Sequence, residues 1–116
     1  MKKWFYIFIL LFSALHADAL HADEYADACK LEIQKIDKEV QKLQAQKQKH
    51  VDLAQQYQSE GDRWQYNTGR ISDAHAAWAK ADDQRAQAIA LQLQIDHLLE
   101  RKERIYQFYP QLEYND

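Results

Sequence analysis

From Ala26 onward, apolar and small residues return at alternating steps of three and four: Ala26, Cys29, Ile33, Ile36, Val40 and Leu43, then Lys47, His50, Ala54 and Tyr57. This is a heptad, the period of a helix that buries one narrow stripe against a partner. Its first half is apolar, whereas Lys47 and His50 dilute the second, where Val51 and Leu53 offer alternative contacts. The pattern predicts a helix from about Glu24 to about Glu60, closed at the Gly61-Asp62 step because glycine commonly ends helices. A second stripe carries Ile71, Ala74, Trp78 and Ala81, then Ala88, Leu91, Ile95, Leu98, Lys102, Ile105 and Tyr109. Its two stretches join into one seam only if the spacing slips between Ala81 and Leu91, a local change of coiling. The helix, from about residue 70, should end at Phe108 or Tyr109, because Pro110 disfavours helical geometry in the residue before it. Residues 111–116 are then expected to form a flexible tail.

Neither helix can bury its stripe alone. Folding back over a turn at about residues 60–70 lets each cover the other, which predicts an all-α fold: a long antiparallel, coiled-coil-like helical hairpin over residues 20–110. A register that sets Lys30 against Glu100, Lys35 against Asp96 and Lys47 against Asp83 also places Ile33 near Leu98 and Val40 near Leu91. A sharper turn at Gly61 would set Lys42 against Lys80 and Glu39 against Asp83, like charge facing like, and ranks second. Surface ion pairs are each worth under about 1 kcal/mol, so they choose the register while the apolar seam holds the pair. Alanines at 74, 76, 77, 79, 81, 86, 88 and 90 thin the second helix. A thin two-helix unit buries little surface per residue, which predicts a homodimer or a larger bundle.

The chain opens differently. Lys2 and Lys3 precede an apolar run from Trp4 to Leu15 and then Ala17-Asp18-Ala19, the order of a signal peptide with a cleavage site after Ala19. The run is shorter than the roughly 20 residues that span a bilayer, so residues 1–19 are expected to be a signal peptide rather than an anchor. Export then sends the chain to the periplasm or outside the cell. Cys29 is the only cysteine. Asp27 stands where a lipidation site needs a small residue, so in an oxidising compartment Cys29 is expected to be buried, capped or bridged to a second chain.

Composition narrows the function classes. Removing residues 1–19 takes away two lysines and one aspartate and leaves 13 basic against 17 acidic residues, a net charge of −4. An acidic chain is a poor match for nucleic acid. The lysines at 30, 35, 38, 42, 47 and 49 make the first helix locally basic, but Glu32, Asp37 and Glu39 are interleaved. That mixture reads as a solvated face before a membrane-binding one. No two of His21, His50, His75 and His97 lie three or four apart, so no helical face pairs imidazoles for zinc. Asp82 and Asp83 diverge on a helix and suit cross-hairpin pairing with Lys47 and Lys49. Ser59 and Ser72 read as turn or cap residues, and no nucleophile stands beside a base. The sequence predicts no enzyme, no metal and no cofactor.

Two aromatic groups remain. Trp64 and Tyr66 stand in the predicted turn with Arg63, Asn67 and Arg70, and Trp, Tyr and Arg are the types enriched at binding hot spots. The plain alternative is that Trp64 folds back with Tyr57 and Ile71 to plug the hairpin end. Tyr106, Phe108, Tyr109 and Tyr114, with Tyr25, are expected to cap the other end. The expected role is contact without catalysis with an unknown protein partner, as an adaptor, assembly factor or chaperone-like clamp of the periplasm or cell envelope. The alternative is a secreted or surface-associated factor acting on a host or on neighbouring cells.

Overall fold

The computed structural model describes residues 21–114; the expected signal segment, residues 1–19, lies outside them. Helix α1 spans His21–Trp64, a 3-10 turn Thr68–Arg70, helix α2 Ile71–Phe108 and a short helix α3 Gln111–Tyr114. No strand occurs among the described residues. The chain divides into two compact units, a terminal unit of residues up to Asp37 with Arg101 onward, and a turn unit, Lys38–Glu100.

In the terminal unit the core is Cys29, Ile33 and Ile36 of α1 with Ile105 of α2 and Leu112 of α3, each at most 6% exposed. Branched side chains on a heptad stripe interdigitate between neighbouring helices, and two ion pairs flank them. Arg101 Nη2 lies 2.8 Å from Glu32 Oε1 and Lys102 Nζ 2.7 Å from Asp37 Oδ1. Helix α2 stops at Phe108, before Pro110, as proline requires. The chain does not then trail off: Leu112 N donates to Tyr109 O (3.0 Å) and Glu113 N to Pro110 O (3.2 Å), and Leu112 is 4% exposed. The expectation of a flexible tail is corrected over residues 111–114, because Leu112 continues the apolar stripe beyond the proline.

In the turn unit Val40, Leu43 and Ala54 of α1 meet Ala74, Ala77, Ala81, Ala88 and Ile95 of α2. The α2 seam runs 74, 77, 81, 84, 88, 91 and 95 at unbroken heptad spacing. The expected slip is absent, because the stripe passes through Ala77 instead of Trp78 and continues through half-buried Gln84. The polar seam residues answer one another. His50 Nδ1 lies 2.6 Å from Gln84 Oε1, and Lys47 Nζ donates to Gln92 Oε1 at 2.7 Å.

These bonds correct the predicted register. Lys47 meets Gln92 instead of Asp83, and none of the three predicted lysine–acid pairs forms. Asp82 pairs with Arg85 on its own helix and Asp83 accepts from Gln87. The shift is about one heptad, which leaves the same residues on the seam. Its cause lies in α1, which runs through Gly61 to Trp64 and moves the reversal to Gln65–Arg70.

Candidate functional site

Gly61 does not end α1; neither glycine has a positive φ. What Gly61 provides is room. The indole of Trp78 lies across it so closely that a Cβ at this position would collide with the ring. Trp78 Nε1 then donates to Asp62 Oδ1 (3.0 Å), which also accepts from Gln58 (2.9 Å), and His75 meets the indole edge-on with centroids 5.5 Å apart. This clamp fixes where the two helices meet near the reversal. The chain turns by backbone bonds from Gln65 N to Gly61 O and from Asn67 N to Trp64 O. Asn67, in an extended conformation, accepts from Gly69 N and caps the 3-10 turn.

The turn brings Trp64, Arg63 and Arg70 together. The Arg70 guanidinium carbon stands 4.0 Å from the Trp64 ring centroid and that of Arg63 5.7 Å, the geometry of cation–π attraction. Arg70 Nε is held in turn by Asp73 Oδ2 at 3.1 Å. Beside the stack opens a recess of about 260 Å³. Tyr57 and Trp64 supply aromatic walls, Ala76 and Ala77 a small floor, and Glu60, Asp73, Arg70 and Lys80 a rim of both signs. Lys80 leans over Tyr57, its Nζ 5.6 Å from the ring centroid. Tyr66 does not line the recess and is 86% exposed. Trp64 and Tyr57 are half-buried, and Ile71, outside the recess, is 47% exposed.

Glu60, Asp73 and Lys80 were not singled out in the sequence. Asp73 and Lys80 are one heptad apart and flank the seam on the side of Glu60, a signal that becomes readable only once the register is known. A second, open recess of about 440 Å³ follows the polar seam layer past Leu53, Ala90 and Leu91 and is rimmed by glutamine amides.

Cys29 is free and buried in the terminal unit. Burial, with the charge of Glu32 adding, pushes its thiol pKa above the ordinary value, which suppresses the reactive thiolate. A bridge to a second chain requires this end to open first. Tyr25, Tyr106 and Tyr109 are half-buried there, while Phe108 is 50% exposed. Burial likewise raises the Tyr109 hydroxyl, whose oxygen is enclosed without a hydrogen-bond partner.

Among the described residues no three His, Cys, Asp or Glu side chains gather as metal ligands. His97 lies 3.9 Å from Glu100, both exposed, and Asp96 is engaged by Gln92. No described helix is long and apolar enough to cross a membrane. Over the described residues the fold and the turn define an almost entirely helical protein built on a long helix pair with an aromatic–cationic turn. No family model, curated protein or solved structure matches this chain.

Proposed function

We propose that residues 1–19 are a cleaved signal peptide. The remaining chain then acts in the periplasm or cell envelope as a non-enzymatic contact protein, an adaptor, assembly factor or chaperone-like clamp. Its turn end is the recognition surface for a partner protein, and the chain also associates with itself. The observation that carries this reading is the Arg70–Trp64 stack at 4.0 Å beside a recess with walls of Tyr57 and Trp64. Small-molecule sites usually enclose about 300–1,000 Å³. At about 260 Å³, with two aromatic walls and four charged residues, the open recess suits a single side chain with a flat body and a polar head presented by a protein. Holding Trp64 under Arg70 and Arg70 by Asp73 lowers the side-chain entropy lost on docking. The mixed rim gives acids and cations to orient polar groups around that anchor, and the exposed Tyr66 extends the contact beyond it.

The test is photo-cross-linking in living cells from position 66, whose side chain leaves the recess intact. One or a few discrete foreign proteins should be captured, and Trp64→Ala should remove that capture. Capture of the chain alone, or a pattern indifferent to Trp64→Ala, refutes the reading. Fractionation of the same cells separates its two settings: release by osmotic shock places the chain in the periplasm, recovery from the medium places it with secreted factors.

A further inference from the structure

We infer that the turn unit carries two complementary outward faces through which copies of this chain stack side by side, α1 of one copy against α2 of the next. The inference deepens the self-association in the proposal above and does not depend on what the turn end binds.

On α1, Lys38, Gln41, Lys42, Ala45 and Gln48 face away from the seam and are exposed, Lys49 stands exposed beside the open recess, and the first acid further along this face is Asp52, which accepts from Gln48 at 2.9 Å. No ion pair engages these three lysines among the described residues. On the outward face of α2, Asp82, Asp96 and Glu100 are exposed, Asp82 paired with Arg85 on its own helix, Asp96 accepting from Gln92 and Glu100 3.9 Å from His97. Between them the same face shows Ile89 and Leu93, 63% and 57% exposed. Over residues 38–49 the outward side of α1 is thus basic, and over residues 82–100 that of α2 is acidic with an apolar centre.

The heights of these groups match. Lys47 bonds Gln92, and Asp62 bonds Trp78, which fixes which residues of the two helices lie level within one copy. A neighbour displaced sideways without an axial shift keeps those levels. It sets Lys38 level with Glu100, Lys42 with Asp96, Ala45 with Leu93 and Gln55 with Asp82. Ala45 is small enough for Leu93 to pack against the α1 backbone, and the lysine stems cover Ile89. Individually such ion pairs are weak and screened by salt, so the association is concentration- and salt-dependent. The contact is heterologous: each copy uses a different face toward each neighbour, so growth past two continues until a ring closes.

The experiment is sedimentation velocity of the exported full chain over a concentration series, at low and high salt. Wild type should form species larger than a dimer that shrink in high salt. Lys38→Glu with Lys42→Glu, and separately Asp96→Lys with Glu100→Lys, should each weaken association about ten-fold or more, because attraction becomes repulsion. Mixing the two variants one to one should restore assembly, a result that unfolded variants cannot give. A wild type that stays monomeric, a closed dimer that never grows, or a mixture that stays apart overturns the inference. So does loss of binding to anionic phospholipid vesicles in the lysine variant with self-association unchanged. Foreign capture from position 66 should persist in both variants, so the stacking contact and the turn-end reading fail separately.

Discussion

The terminal unit and the turn unit use the same heptad to opposite ends. In the first, Ile33, Ile36 and Ile105 fill the stripe and ion pairs of Arg101 with Glu32 and Lys102 with Asp37 close its sides. In the second, the α2 stripe is alanine at 74, 77, 81 and 88, and the seam is crossed by His50–Gln84 and Lys47–Gln92. Alanine brings helices close but removes little apolar area from water, whereas a polar seam pair disfavours registers that leave it unmatched. Both units bury branched side chains, Val40, Leu43 and Ile95 in the turn unit among them, but only there do alanines, polar seam pairs and a tryptophan clamp interrupt the stripe and specify its alignment.

The largest effect that would break this contrast is removal of a branched core residue. Ile36→Ala, at a position 2% exposed, should cost about 2–5 kcal/mol, read as a fall in the urea midpoint. A loss under about 1 kcal/mol would mean that the terminal unit does not rest on its seam. Next comes Gly61→Ala. Helix propensity alone would make this substitution stabilising by about 1 kcal/mol. The collision with Trp78 should reverse the sign and cost about 1–3 kcal/mol. Thermal unfolding of G61A decides between them, and adding Trp78→Ala should make the alanine neutral or favourable.

The smallest effect is a pH dependence at Lys102. The hydrogen bond to Asp37 raises its pKa above the ordinary 10.5. A cation whose folded pKa exceeds its unfolded one stabilises fully below the unfolded value and loses that stabilisation as pH rises through the folded value. With the pair partly exposed, at 24% and 45%, the difference should stay under about 1 kcal/mol. Wild type should therefore exceed Lys102→Met in stability at pH 8, and the gap should narrow above about pH 10.5. A gap that widens there contradicts the pair.

Much of the architecture was legible beforehand because it depends on local period. The stripe from Ala26 to Tyr57, the stop before Pro110 and the seam placement of His50 all follow from which residues share a helix face. What misled was context. Gly61 looked like punctuation because a glycine's sequence signal is the same whether it ends a helix or admits a neighbour's ring. Leu112 looked like tail because a proline hides the stripe that resumes after it. Of the candidate site, Trp64, Arg63 and Arg70 were recognised by type, but the recess was not, since Glu60 and Lys80 become neighbours only across the hairpin.

By itself, then, the sequence determined that this chain forms two long helices and which face of the first is buried, because a heptad is a property of consecutive residues; on the second, Trp78 competed with Ala77 for the stripe. Only the tertiary structure decided how far one helix slides along the other. Sliding by seven residues leaves every seam position on the seam, so periodicity assigns all such registers the same burial. The Trp78 ring over Gly61 and the polar bonds of Lys47 and His50 distinguish them, because they require particular atoms to meet.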